Sequence, residues 1–302
     1  MLKDKPEPAQ KSGMSAASWD ASNIQAPWFE AHFNHAANVI KDWLLPVISR
    51  SDFTDQADSG IRILDFGCGG GITTLSLALQ FPEIRLIGVD VARTHDSLAE
   101  NAKNEIRLNE LPENLEFHHI HAGSVLSGRY TVDAVYSWSV FEHIDKALIP
   151  GILQDLFSLL PRGGHVFLQI EPLFYSPFGH HLRQYLTEPW AHLLLDEEEL
   201  SARVMEFAGE VSLAGRGRIF TDMSPMEYKA FRLREYAKLN RCTADEIVRF
   251  HEDQGFEIIR QRRNQMQTEI PPSLLEQYPE EQLRTNALIL LARKPPNCAR
   301  NR

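Results

Sequence analysis

The chain has 302 residues, 31 lysines and arginines against 41 aspartates and glutamates, a formal net charge of −10 and 43% apolar residues. Such a composition excludes collagen-like, repetitive and disordered chains, and the length suffices for one large domain with an insertion or for two domains. The longest apolar run, Ala287 to Ala292, is far short of the roughly 20 residues of a membrane-spanning helix, and the acidic balance disfavours nonspecific attachment to nucleic acid.

Residues 1–20 mix Lys, Asp, Glu, Pro, Gln and Ser without the apolar stretch of a secretory signal, and read as a flexible tail on a cytoplasmic protein. Cys68, Cys242 and Cys298 are odd in number and lack a Cys-x-x-Cys pair, which fits reduced thiols. Within residues 21–50, Phe29, Phe33, Ala36, Ile40 and Trp43 recur at spacings of four and three, so a helix is expected over about 27–45, ended by Pro46. In the segment 51–171 the pattern changes to short runs typical of strands: Ile61 to Phe66, Ile84 to Val89, Leu115 to Ile120, Ala134 to Trp138 and His165 to Ile170. Between them, Ile72, Leu75 and Leu79 mark one helical face, and Ile149, Ile152, Leu153, Leu156 and Leu160 another. This alternation predicts parallel strands joined by helical crossovers.

Regular alternation stops after Pro172. Residues 172–240 carry Pro172, Pro177, Pro189 and Pro225, with helical patterns around Trp190 to Phe207 and Pro225 to Leu239; this is too long and too apolar for a loop and reads as an inserted cap. Core architecture resumes over 241–296. Thr243 and Glu246 have the spacing of a reciprocal helix cap, Gly255 suits the helix end, and Phe256 to Arg262 and Asn286 to Arg293 are the last strand candidates. Residues 297–302 read as a tail.

The strongest local signal is Asp65-Phe66-Gly67-Cys68-Gly69-Gly70-Gly71, at the end of the first strand and directly before a helix. Glycines there let a ligand approach the backbone, and the helix start offers free amides. Asp90 ends the second strand, where a carboxylate can accept hydrogen bonds from both ribose hydroxyls. A dinucleotide fingerprint would need a third glycine where Ile72 stands, which argues against a nicotinamide oxidoreductase.

At these residues the sequence resembles the class I S-adenosylmethionine-dependent methyltransferases. Asp133 to Ile144 is similar to the family's fourth-strand motif, Leu160-Pro161-Arg162-Gly163-Gly164 to the turn before its fifth strand, and Asn286 to Pro295 to its terminal antiparallel strand. Gly123-Ser124 stands where the family often has Gly-Asp. The resemblance implies an α/β fold: a Rossmann-like, seven-stranded, mostly parallel, doubly wound sheet with an N-terminal helix over the pocket and an inserted helical cap. It implies that Asp65, Gly67, Cys68, Gly69, Gly71, Asp90, Val91, Gly123, Ser124, Ser137 and Trp138 surround S-adenosyl-L-methionine, with Trp28 or Phe29 closing the pocket.

Methyl transfer is an in-line displacement, so positioning supplies much of the catalysis; an alcohol nucleophile additionally needs a base. The segment from Tyr175 to His192, with Pro-Phe-Gly-His-His and Pro-Trp-Ala-His, resembles stretches of bacterial methyltransferases acting on sugars or other small hydroxylated molecules. His180, His181 and His143 are therefore the candidate catalytic groups, and Trp138, Glu171, Tyr175 and Trp190 the candidate substrate contacts. His192, on an apolar face, reads as core. His118, His119 and His121 alternate along a strand, which divides them between its faces and disfavours a metal site. Arg216, Arg218, Arg260, Arg262 and Arg263 read as surface charge. The expected function is methylation of a small molecule at a hydroxyl oxygen, with nitrogen or carbon transfer, or a non-catalytic cofactor-binding subunit, as alternatives.

Overall fold

The computed structural model describes residues 19–48, 60–213 and 218–296. The tails expected at 1–18 and 297–302, Cys298, Arg216 and the side chain of Arg218 lie outside them. Seven strands, β1 (Arg62–Phe66), β2 (Arg85–Asp90), β3 (Leu115–His119), β4 (Ala134–Trp138), β5 (His165–Ile170), β6 (Glu257–Gln265) and β7 (Thr285–Arg293), form one sheet in the order β3-β2-β1-β4-β5-β7-β6. β7 is antiparallel to both neighbours, and the other pairings are parallel. The chain reverses its direction of travel across the sheet between β1 and β4, and such a switch point opens a crevice at the carboxyl ends of the strands.

Before the sheet come α1 (Pro27–Glu30), a π-helical stretch (Ala31–Ala36) and α2 (Ala37–Leu44). The single helix expected over 27–45 is thus continuous in direction but widened in the middle. The widening has a use: the His32 and Phe33 carbonyls accept hydrogen bonds from Thr73 Oγ1 at 3.3 Å and Ser76 Oγ at 2.6 Å. Both hydroxyls lie on α3 (Ile72–Gln80), the helix that follows the glycine segment. α4 (Leu98–Ile106) and α5 (Ile149–Leu159) complete the first crossovers.

Parallel strands covered on both faces are apolar on both faces. β5 accordingly has all six residues buried, while the edge strand β6 is largely exposed. That exposure explains why periodicity ended β6 at Arg262: its last three residues are polar and are held by pairing with β7 through Gln265.

The cap carries α6 (Ala191–Leu194), α7 (Glu197–Glu206), α8 (Arg218–Thr221) and α9 (Pro225–Lys238). The expected helical segment around 190–207 is divided in two, because Asp196 is extended and its side chain accepts the Glu199 amide, starting a new helix. Leu182, Tyr185, Leu186, Leu200, Val204 and Tyr228 give the cap its own apolar cluster. Its far end is fixed to the sheet by Asn240, whose Nδ2 donates to the carbonyls of Phe141 at 2.6 Å and Ile144 at 2.7 Å. α10 (Ala244–Asp253) starts at the Thr243/Glu246 reciprocal cap and ends before Gly255, at φ +90°. α11 (Pro272–Leu275) and α12 (Glu280–Arg284) connect β6 to β7. No helix among the described residues is long and apolar enough to cross a membrane.

Candidate active site

β1 delivers Asp65 to the base of the crevice, where its buried carboxylate accepts hydrogen bonds from Thr74 Oγ1 at 2.6 Å and Tyr136 OH at 2.7 Å. These bonds tie β1, α3 and β4 together beneath the glycine turn. Burial pushes the Asp65 carboxyl up to about 7, against the hydrogen bonds that favour its charged form. Above it, Gly67 and Gly71 have φ of +82° and +75°, and a Cβ would lie 2.4 Å from Val140 Cγ2 at the first and 2.6 Å from Phe117 Cζ at the second. Neither position admits a side chain. Gly69 is different, because a Cβ there meets nothing within 4 Å. The turn is open above that residue.

Asp90 closes one side of this turn. Its Oδ2 accepts from the Gly69 amide and its Oδ1 from the Ala92 amide, both at 2.7 Å, so the carboxylate is fixed at the end of β2 with lone pairs left for vicinal hydroxyls. Trp28 covers the other side: a Cβ on Gly70 would lie 3.2 Å from its ring. Phe29 is wholly buried behind it with Phe33, so of the two aromatic residues Trp28 is the one against the turn. Val91 is 57% exposed just past Asp90. Gly123, at φ +78°, has open space about it, and Ser124 Oγ accepts the His121 amide at 3.1 Å. Cys68 is buried, and burial pushes its thiol well up, so it stays protonated. Ser137 is also buried and donates to the Phe66 carbonyl at 2.8 Å, fastening β4 to β1. Trp138 is half-buried between the rings of His35 and Phe167. An open glycine turn beside a fixed carboxylate fits the nucleoside and amino-acid parts of S-adenosylmethionine. Asp90→Ala is expected to weaken binding of S-adenosylhomocysteine by about 1.5–3 kcal/mol, the value of hydrogen bonds to a charged group; calorimetry checks this, and unchanged affinity would remove Asp90 from the site.

A second cavity, of about 620 Å³, opens at the carboxyl end of β5. It is lined by His181, Arg183 and Arg232 of the cap and by Glu171, Asn264 and Asn286 from the strand ends. Glu171 accepts from Asn286 at 2.8 Å and from Gln169 at 3.2 Å. His181 has φ +57°, and its Nε2 lies 3.0 Å from the Pro172 carbonyl. A carbonyl only accepts, so Nε2 carries the proton and Nδ1 is the free acceptor. Burial, then the neighbouring His143, push His181 down to about 3. Its ring meets that of His143 edge to face at 5.2 Å. The His143 amide donates to the carbonyl of Val140 at 2.9 Å, and Val140 is the residue packed on Gly67. A continuous path of contacts therefore leads from glycine turn to cavity.

Three expected site residues are elsewhere. His180 is fully buried, its Nδ1 accepts the Leu182 amide at 2.8 Å, its ring packs on His192 at 5.2 Å, and burial pushes it down to about 3. It is a core residue of the cap. Trp190 is equally buried, packs with Ile270, Leu274 and Leu283, and donates its indole N–H to the Tyr175 carbonyl at 3.0 Å; it faces neither cavity. Tyr175 lines a smaller pocket of about 130 Å³ with Cys242 and Arg263, its ring against Tyr278. His192, read as core, is buried with Nε2 2.6 Å from the Phe174 carbonyl. Arg260 and Arg262 lie over Trp43, and Arg263 pairs with Asp245 and Glu281. Among the described residues no group of His, Cys, Asp and Glu converges as a metal site would.

Arg183, Gln184, Arg232, Asn264 and Asn286 were not singled out from the sequence. They are isolated polar residues contributed by separate segments, with no local pattern. Glu142 is another: it is buried beneath the strand ends, and desolvation pushes it up to about 8.

Sheet order, glycine turn and terminal carboxylate together define a nucleoside-cofactor fold of the methyltransferase class. A family model described as a methyltransferase domain matches residues 35–261. Malonyl-[acyl-carrier protein] O-methyltransferase of Bacillus anthracis is 27% identical over 157 residues, covering 51% of each chain. A second such enzyme, from Ilyobacter polytropus, is 26% identical over 220 residues, covering 65% of this chain and 81% of its own. A ubiquinone biosynthesis O-methyltransferase of Vibrio cholerae is 27% identical over 132 residues, covering 42% of this chain and 46% of its own. The match spans only about half the length of the Bacillus and Vibrio relatives. Among solved structures, the [4+2]-cyclase SpnF superposes with a TM-score of 0.50 at 15% identity, covering 93% of this chain and 87% of its own; that likeness carries the fold and not the reaction. The chain belongs to the methyltransferase domain family, in its class I, S-adenosylmethionine-dependent branch.

Proposed function

We propose that this protein transfers a methyl group from S-adenosylmethionine to a hydroxyl oxygen of a small molecule held in the 620 Å³ cavity under the cap. The observation that carries the reading is the contact path from Gly67 through Val140 and His143 to His181, which joins the cofactor turn to that cavity. The relatives' names favour oxygen, since those quoted above are O-methyltransferases.

When bound, S-adenosylmethionine supplies an electrophilic methyl group on a sulfonium. Asp90 and the glycine turn orient it from one side, and the cap holds the acceptor from the other, so the chain's main contribution is alignment in a pocket shielded from water. The hydroxyl proton passes to His181 Nδ1, whose partner nitrogen is fixed by the Pro172 carbonyl. With its pKa near 3, this ring is neutral at physiological pH and ready to accept. It is a weak base, so it acts as the new bond forms and the hydroxyl becomes acidic.

His181→Ala is expected to lower single-turnover methylation by roughly 100-fold while S-adenosylhomocysteine affinity stays within about twofold, a shift under ~0.4 kcal/mol. Equal turnover in the variant would remove His181 from the mechanism. The reading as a whole is tested by calorimetry with S-adenosylhomocysteine, with NAD as control, followed by a labelled-methyl screen of hydroxylated acceptors with product analysis. Binding of S-adenosylhomocysteine alone and a methyl ether product are the expected results; NAD binding, or methylation at a carboxylate, nitrogen or carbon, would overturn it.

A further inference from the structure

The cavity wall has a charge pattern that runs against the molecule. In a chain of net charge −10, two guanidinium groups, Arg183 and Arg232, face the same cavity from the cap. Each is held in place. The Arg183 guanidinium lies over the Phe178 ring at 4.3 Å, a cation–π contact between two residues that both line the cavity. Arg232, on α9, donates from Nη2 to the His181 carbonyl, so it is anchored to the backbone of the proposed base itself. Among the described residues no carboxylate forms an ion pair with Arg183. The one carboxylate in the lining, Glu171, is engaged by Asn286 and Gln169.

The rest of the lining is rich in carboxamides, with Gln184, Asn264, Gln265 and Asn286 around the opening. The Gln184 amide nitrogen is buried without a hydrogen-bond partner, and a buried donor left unsatisfied costs about 1–3 kcal/mol unless a ligand accepts from it. Carboxamides both donate and accept, which suits hydroxyl groups; a guanidinium suits a carboxylate or phosphate, which it can hold through two parallel bonds.

From this arrangement we infer that the acceptor is a hydroxylated molecule bearing one anionic group, a sugar acid or sugar phosphate, whose anion sits between Arg183 and Arg232. This rests on the functional reading above, and it makes the cap's two arginines the specificity determinants of the site.

The test is calorimetry on the full chain saturated with S-adenosylhomocysteine, using D-glucuronate, D-glucose 6-phosphate, inorganic phosphate and neutral D-glucose as probes. An anionic probe is expected to bind roughly tenfold or more tightly than D-glucose, with that margin lost in Arg183→Gln. Preference for glucuronate identifies a carboxylate, and preference for the two phosphates a phosphate ester. Arg183 is exposed, so its variant is expected to fold; Arg232→Gln is the second variant, with its melting temperature measured alongside. Equal binding of D-glucose, failure of every anion to bind, or unchanged preference in both variants would overturn the inference while leaving the methyltransferase reading intact. Failure of S-adenosylhomocysteine itself to bind would overturn both.

Discussion

Gly179→Ala is expected to destabilise the protein by more than about 3 kcal/mol, a large effect for a single methyl group. A Cβ at this position would lie 1.9 Å from the Phe174 carbonyl oxygen, 2.4 Å from its carbon and 2.5 Å from the Leu173 oxygen. All three are backbone atoms, so no rotamer change relieves the overlap. The same turn is drawn tight by the Ser176 amide on the Leu173 carbonyl at 3.0 Å and the Gly179 amide on Ser176 at 3.1 Å. It sets the path by which His180 enters the cap core and His181 reaches the cavity. Gly151→Ala is the matching control: Gly151 lies in α5 with nothing within 4 Å of its would-be Cβ, so alanine there should stabilise by roughly 0.5–1 kcal/mol through helix propensity. Urea denaturation of both variants decides the matter; a Gly179→Ala protein as stable as the parent would mean that this turn is not built as described.

The second large effect is a stability maximum near neutrality with arms falling on both sides. Burial pushes His180 down to about 3 and His192 and His251 down to about 4, while it pushes Asp65 up to about 7 and Glu142 up to about 8. At a pH of about 5.5 the unfolded chain binds three protons on these histidines, and the folded chain binds two on the carboxyls. The unfolded state holds about one proton more, so stability rises with pH by about 1.4 kcal/mol per unit until the unfolded histidines lose their protons near 6.5. His181, half open to the cavity, adds in the same direction. Above about 7 the sign reverses, because the folded state must ionise Asp65 and Glu142, which are already ionised when unfolded. Urea midpoints taken from about pH 5 to 9 should trace this dome. Glu142→Gln should flatten the alkaline arm; a variant with the same alkaline slope would show that Glu142 is ionised in the folded protein.

β1, β2, β4 and β5 were legible because each is largely an apolar run between turn residues, and burial on both faces is what such runs require; the edge strand β3, with no fully buried residue, was legible only from its β-prone composition. The cofactor turn was legible for a different reason: its glycines are demanded by local backbone geometry, and local demands leave a local pattern. Outside these segments the signal weakens. β6 was underestimated because its outer residues Arg262, Arg263 and Asn264 have no apolar rhythm, and its length is set by the partner strand. His180 and Trp190 were read as site residues because a histidine beside a glycine, or a tryptophan beside a proline, has the same sequence whether it faces a cavity or a core. Their burial depends on Leu274, Leu283 and the cap helices, far away in the chain. Of the cavity lining, His181 and Glu171 were expected from the sequence, whereas Arg183, Arg232, Asn264 and Asn286 carried no signal because they meet only after the cap folds over the strand ends.

One ring links the two cofactor strands more closely than their hydrogen bonds do. A Cβ on Gly71 would strike Phe117 at 2.6 Å, and one on Gly88, its direct neighbour across β2 and β3, would strike it at 2.4 Å. A single phenylalanine thus fills the volume that two glycines from different motifs leave empty, and the three positions are sterically coupled. Homologues that carry a larger residue in place of Gly88 should carry a smaller one in place of Phe117, while Gly71, at φ +75°, should remain glycine in both cases.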